Sequence, residues 1–170
     1  MIKLNLGCGR DYKEEWINVD RHKEKDIQGR RIITDKSMDL NVLPYDFPDN
    51  YADEIIIDNV LEHLDKPMEV MKELKRILRP MGYLKVIVPH YSSWAGYTDP
   101  THKTYYGIQM GSRNNFNNGL VLTKESLNVS SNKWLKFLNY IANLNPRLYE
   151  RLCFGIFNPQ EIIWEYKKNV

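Results

Sequence analysis

Residues 4–9 read Leu4-Asn5-Leu6-Gly7-Cys8-Gly9, the end of an apolar, strand-like run from Ile2 that breaks into two glycines one residue apart. Eleven residues past Gly9, a second apolar run, Trp16 to Val19, ends in Asp20. A strand that opens into Gly-x-Gly brings bare backbone close to a bound molecule, because each missing Cβ removes a steric barrier and permits positive φ. A carboxylate at the end of the next strand accepts hydrogen bonds from both hydroxyls of a ribose. The pairing therefore points to a nucleotide or nucleoside ligand. Tyr12 stands where the dinucleotide fingerprint requires its third glycine, which weighs against NAD. Arg10 to Trp16 leave room for about one to two helical turns before the second strand.

Outward from this start, apolar runs of strand length recur at Ile55 to Ile57 and Tyr83 to Val88, with Ile32-Ile33 a weaker candidate. Runs without alternation suit strands buried on both faces of a parallel sheet. Between two of them lies the clearest helix. Pro67 suits its first turn, Met68, Met71, Leu74 and Leu78 form an apolar stripe, Lys72, Glu73, Lys75 and Arg76 face water, and Pro80 stops it. Strand, helix, strand in this order predicts a right-handed crossover between parallel neighbours.

Beyond Pro89 a polar, aromatic-rich stretch runs to Gly119. Segments of that length in a compact domain are functional or disordered, and Tyr91, Trp94, Tyr97, Tyr105 and Tyr106 favour a packed one, either a lid or a cover for an acceptor. Asn114 to Gly119 reads as a flexible loop. Leu120 to Val129 has strand character, Trp134 to Leu144 reads as a helix, a short second helix follows to Leu152, and Glu161 to Tyr166 closes as a strand.

The 170 residues, 42% of them apolar and 12% aromatic, fit one domain over 1–170. We divide it into a cofactor-binding half (1–89), an acceptor-covering insert (90–119) and a C-terminal strand-helix-strand (120–170). The start carries no signal-peptide pattern and no run reaches the roughly 18 apolar residues of a membrane span. With only Cys8 and Cys153, a reducing, cytoplasmic location is expected. The formal charge of +2 comes from scattered basic residues, so nucleic acid is not an expected partner. The sequence leaves the oligomeric state open.

These segments together resemble the class I S-adenosylmethionine-dependent methyltransferases, of the short methyltransferase domain 11 type. Leu4 to Gly9 match the family's first motif, Trp16 to Asp20 its ribose-binding strand end, Asp39-Leu40 its adenine contact, Asp58 to His63 its post-strand-four motif, and Leu78 to Leu84 the turn into strand five. The resemblance implies a Rossmann-like doubly wound α/β fold, a mostly parallel sheet with helices on both faces and an antiparallel C-terminal strand. It implies S-adenosylmethionine as cofactor, held by Asn5, Gly7, Cys8, Gly9, Asp20, Arg21, Asp39, Leu40 and Asn59. The acceptor is expected to be an oxygen or nitrogen of a small molecule or glycan precursor. The alternative is a non-catalytic partner subunit that binds the cofactor.

Three positions depart from the family pattern. Asn5 replaces an acidic residue, Met81 replaces the glycine after Pro80 and should force type I turn geometry there, and the first helix shrinks to a turn or so. For catalysis, His102 with Asp99 three residues before it is the candidate general base, and His63 a second candidate. Glu62 and His63 are adjacent, so at most one is expected to reach the cleft. No pair among His63, His90, Asp99 and His102 has the spacing of a metal signature, and no metal is expected.

Overall fold

The computed structural model describes residues 1–22, 29, 31–132, 135–152 and 157–169. Cys153 and Trp134 lie outside them. Seven strands form one sheet: β1 (Lys3–Leu6), β2 (Ile17–Asp20), β3 (Lys36–Ser37), β4 (Ala52–Asp58), β5 (Leu78–Pro89), β6 (Val121–Asn128) and β7 (Glu161–Lys167), in the order β3-β2-β1-β4-β5-β7-β6. β1 to β5 are parallel; β7 runs antiparallel to both β5 and β6. The order reverses between β1 and β4, and in such sheets the ligand crevice opens at the carboxyl ends of the strands beside that reversal.

Pairing register assigns the faces. Leu4 pairs with Ile55, Ile55 with Leu84 and Leu84 with Tyr166; two residues on, Leu6, Ile57, Val86 and Trp164 repeat the row. Every one of these side chains is 0–1% exposed. Besides the short α2 (Trp94–Thr98) of the insert, α1 (Pro67–Ile77), α3 (Asn114–Asn117), α4 (Lys136–Leu144) and α5 (Pro146–Leu152) place Val70, Met71, Leu74, Ile77, Phe116, Leu138, Ala142 and Tyr149 in the same core. Side chains alternate across a strand, so Lys3, Asn5, Glu54, Asp58, Lys85 and Glu165 occupy the opposite face. There Lys3 and Glu54 pair at 3.3 Å, and Lys124 and Glu165 at 3.6 Å. The mostly parallel sheet and its antiparallel strand are as expected, but the helical cover is uneven. Among the described residues these helices gather on one face, and beside β1 and β2 the other is covered by segment 10–16.

That segment forms no helix, correcting the expected turn or so. The amide of Asn5 donates to Asp11 O (2.7 Å) and Asn18 Oδ1 (2.9 Å), and the amide of Asn18 donates to the carbonyls of Lys13 and Trp16 (both 2.9 Å). Two buried asparagines thus tie down backbone that a helix would have satisfied internally.

Other differences have local causes. In α1 the buried stripe is Val70, Met71, Leu74 and Ile77, while Met68 is exposed. Glu73 is buried, accepting from the Tyr45 amide (2.7 Å) and from Arg76 (2.6 Å). Ile32-Ile33 is not a strand; Lys36–Ser37 is. Met81 takes φ +64° instead of type I geometry, because its amide donates to Lys168 O (2.8 Å) and so joins the β7 pairing. Asn114 to Gly119 contain α3, with Phe116 and Asn117 buried and Asn118 closing the helix at φ +53°. The edge strand β6 is capped by α4, where Asn143 accepts from the Leu127 amide and donates to its carbonyl (both 2.8 Å). Such cover removes an open pairing edge.

Candidate active site

At the end of β1 the chain turns through Gly7 (φ +70°) and Gly9 (φ +49°), a region costly for residues with a Cβ. The amides of Gly7 and Cys8 donate to Val19 O (2.8 and 3.0 Å), which straps the loop to β2. The Gly9 amide donates to Asp20 Oδ2 (2.9 Å), and Asp20 Oδ1 accepts from the His22 amide (3.0 Å). The carboxylate therefore faces the glycines. Its two oxygens offer about four acceptor sites, so capacity remains for ribose hydroxyls. A Cβ at Gly9 would have no atom within 4 Å, whereas one at Gly7 would sit 2.3 Å from Val60 Cγ2. Gly9 thus borders open space, and Gly7 locks the loop against the chain that follows β4. These features fit an adenosyl ligand.

The other expected cofactor residues divide. Asn5 is buried with both its amide hydrogens held by the scaffold, which leaves its Oδ1 as the atom that could accept from a ligand. Cys8 is buried, and burial followed by the charges of Asp20 and Asp35 pushes its thiol up to about 11, so it packs as a neutral side chain. Arg21 is exposed, with Nε 3.0 Å from His22 Nε2. Asp39 caps its own turn through the Asn41 amide (2.9 Å), while Leu40 is buried. Asn59 (φ +50°) bonds Asp58 and Glu161 (2.9 and 3.3 Å) at the end of β4.

Two residues beyond Val60 the second cluster begins. Leu61–His63 form a 3-10 turn whose Leu61 is buried, and Glu62 O accepts from the amides of Lys103 and Thr104 (2.7 and 3.3 Å), which draws the insert over the turn. A recess results, lined by Glu62, His63, Asp99, His102 and Asn59, with Asn128 and Glu161 from the ends of β6 and β7. Both Glu62 and His63 reach it, against the expectation of one. Glu62 is 1% exposed, and both its oxygens are buried without a hydrogen-bond partner. Burial, then the nearby charges of Asp58 and Asp99, pushes its carboxyl up to about 8.

The histidines touch edge to face with ring centres 4.7 Å apart. His102 Nδ1 meets Gly96 O at 2.9 Å and its Nε2 lies 3.9 Å from Glu62 Oε1. His63 Nδ1 meets Thr101 Oγ1 at 2.8 Å, and that hydroxyl donates to Asp99 Oδ1 (2.6 Å). Asp99 therefore positions Thr101 and, through it, His63, not His102 directly. Burial and the adjacent His102 lower the pKa of His63.

The aromatic cluster splits. Tyr106 lies in the core, donating to Leu61 O (3.2 Å), while Trp94, Tyr97 and Tyr105 are exposed and Tyr97 stacks on Tyr105 with centres 5.0 Å apart. His90 sits apart from the recess, its Nε2 2.9 Å from Glu150 Oε1. Glu62 was the residue that sequence reasoning left out of the site; its signal is a carboxylate on an otherwise apolar turn, Val60-Leu61-Glu62-His63-Leu64.

Residues 4–86 match the family model of a methyltransferase domain. The demethylmenaquinone methyltransferases of Listeria welshimeri and Listeria monocytogenes are 32% identical over 91 residues, 51% of this chain and 36% of theirs, so the chain spans about a third of the length of these curated relatives. A S-adenosylmethionine-dependent methyltransferase from Archaeoglobus fulgidus superposes with TM-score 0.66 at 22% identity, covering 98% of this chain and 85% of that one. One from Mesorhizobium loti gives 0.67 at 12%, covering 98% and 90%. The complex of the Haloferax volcanii Trm112 methyltransferase activator with a methyltransferase gives 0.62 at 18%, covering 99% and 83%. At these identities the superpositions establish the fold. Residues 4–86 are thus similar to the methyltransferase domain family, and the described chain has the fold of the solved S-adenosylmethionine-dependent methyltransferases.

Proposed function

We propose that the chain transfers a methyl group from S-adenosylmethionine to an oxygen or nitrogen of a small molecule or glycan precursor. One observation carries the reading: the Asp20 carboxylate folds back onto Gly9 at the sheet's reversal point, beside the turn that leads into the recess of Glu62, His63 and His102. When bound, the cofactor supplies a methyl carbon made electrophilic by its sulfonium. The protein's part is to align that carbon with the acceptor, and such alignment accounts for most of the acceleration in a direct displacement.

Asp20 accepts from the ribose and fixes the adenosyl end. Gly9 gives it room. Asp39, Leu40 and Arg21 flank the same side, and Asn59 stands between the two clusters. His102 and His63 present acceptor nitrogens to the incoming hydroxyl or amine, Asp99 keeps His63 in orientation through Thr101, and the exposed Tyr97-Tyr105 stack offers a flat surface for a sugar or ring beside the recess. Among the described residues no helix is long and apolar enough to cross a membrane.

The test is isothermal titration with S-adenosylmethionine and S-adenosylhomocysteine, followed by transfer of a labelled methyl group to a panel of hydroxyl- and amine-bearing acceptors. Saturable binding of both ligands with label transfer supports the reading. Absence of heat at millimolar ligand overturns it. A second reading, a non-catalytic cofactor-binding subunit, is favoured by the diversion of Asn5 into the scaffold. Binding without consumption across the panel would decide for it.

A further inference from the structure

Proton positions in the recess follow from its hydrogen bonds. Ionised Asp99 has no proton to give, so the Thr101 hydroxyl donates to it (2.6 Å). The Thr101 oxygen then accepts from His63 Nδ1 (2.8 Å), which places the His63 proton on Nδ1 and leaves Nε2 with a bare lone pair. His102 follows the same rule: Gly96 O only accepts, so the proton sits on Nδ1, and Nε2 brings its lone pair to within 3.9 Å of Glu62 Oε1. Glu62 has no donor on either oxygen. The His102 lone pair and a buried carboxylate thus meet beside the His63 ring, and one ligating atom from each of the three residues lies within 4.8 Å of the other two.

We infer that Glu62, His63 and His102 form a binding site for a divalent first-row transition-metal ion, with open positions for an oxygen of the acceptor. With the ion bound, the imidazole lone pairs ligate it, and the ion in place of a histidine base lowers the pKa of that oxygen. Two nitrogens and one carboxylate suit zinc, iron, cobalt or manganese better than magnesium or calcium, which prefer all-oxygen shells. Metal-bound histidines hold their second nitrogen against a carbonyl or carboxylate; Gly96 O does this for His102, and Thr101 backed by Asp99 does it for His63. A proton alone fits less well, because at 3.9 Å Glu62 and His102 are beyond hydrogen-bond reach. The ligands come from a 3-10 turn and from the insert some forty residues on, which is why spacing rules do not reveal them. Only the clause on the acceptor rests on the methyl-transfer reading; the metal site stands on the geometry.

The experiment takes the full chain stripped with a chelator and titrates it with cobalt(II) and zinc(II), reading stoichiometry by elemental analysis and cobalt ligation by visible absorption. We expect one ion per chain and a nitrogen-ligated cobalt spectrum. Glu62→Gln and His102→Gln should each weaken binding at least tenfold, and Thr101→Val, which frees His63 from its orienting partner, roughly tenfold to a hundredfold. His22→Gln should bind as wild type. Pulsed electron resonance of the copper(II) form of the unaltered chain reads imidazole nitrogens directly, so a variant that fails to fold does not remove the test. No uptake of cobalt or zinc, no imidazole coupling, or equal affinity in folded Glu62→Gln and His102→Gln variants overturns the site. Titrating S-adenosylhomocysteine into the stripped chain separates the two readings. Cofactor binding without metal uptake sinks the metal site alone, and metal uptake without cofactor binding sinks the methyl-transfer reading alone.

Discussion

Asp20 does two things with one carboxylate. It closes the glycine loop through the Gly9 amide and retains lone pairs for a ligand. Removing one hydrogen bond to a charged group costs about 1.5–3 kcal/mol, so Asp20→Asn should weaken S-adenosylhomocysteine binding roughly tenfold to a hundredfold with circular dichroism unchanged. An unaltered Kd by calorimetry would take Asp20 out of the site. The two glycines make a paired test. Gly9→Ala meets open space and carries only the left-handed penalty of about 1–2 kcal/mol. Gly7→Ala carries that penalty and drives a methyl to 2.3 Å from Val60 Cγ2, adding about 1–3 kcal/mol of overpacking. Urea unfolding should rank Gly7→Ala clearly below Gly9→Ala; equal losses would mean Val60 moves aside freely. Residues of this kind were legible in the sequence, because glycine before a carboxylate-ended strand has few physical explanations. Glu62 was not, since a carboxylate beside a histidine on an apolar turn reads equally well as solvent-exposed until the insert is seen folding over it.

At the scale of elements, each unit of the C-terminal half is held by a few long-range polar contacts. The Ser92 amide donates to His90 Nδ1 (3.1 Å), so His90 carries its proton on Nε2 and gives it to Glu150 (2.9 Å), which also accepts from the Ile108 amide (2.8 Å). One carboxylate on α5 thus joins His90, the residue that follows β5, to the 3-10 turn Ile108–Ser112. Burial raises the Glu150 carboxyl, but the His90 and Ile108 hydrogen bonds more than offset it and hold it below its ordinary 4.5. A depressed carboxyl stabilises the fold above its unfolded pKa and loses that contribution as pH falls through the folded value. Glu150→Gln should therefore lower stability near pH 7 and narrow the gap between urea midpoints at pH 7 and about pH 4. An unchanged gap would show that other carboxylates govern acid unfolding. At the sheet edge, Asn143→Ala leaves both the amide and carbonyl of Leu127 without their side-chain partner, which should cost about 1–3 kcal/mol and expose β6 to pairing with another chain. Size-exclusion chromatography at rising concentration reads the second effect. Helical periodicity predicted α4 but not this role, because an asparagine that mimics a strand partner leaves no mark in a hydrophobic pattern.

Across the whole molecule, the cofactor crevice and the recess share the turn after β4, and the recess adds the insert and the ends of the C-terminal strands. The glycine loop, Asp20 and the turn after β4 follow one another in the first third, and the strand order brings them to one end of the sheet; that much was legible as a succession of strand ends. Asn128 and Glu161 enter the recess only because β7 inserts antiparallel between β5 and β6, a pairing no local pattern predicts. With α1, α3, α4 and α5 packed on one face and the loops that bear the site rising from strand ends, ligand binding should tie those loops together. A ligand bound only to the folded state at a hundred times its Kd stabilises it by about 2.7 kcal/mol, and for a chain of this size each kcal/mol raises Tm by about 2–4 °C. S-adenosylhomocysteine should then raise Tm by roughly 5–11 °C by the same arithmetic, and Asp20→Asn should reduce the shift at equal ligand. A full shift in that variant would place the adenosyl group away from Asp20, whereas none in the unaltered chain would leave the crevice without its ligand.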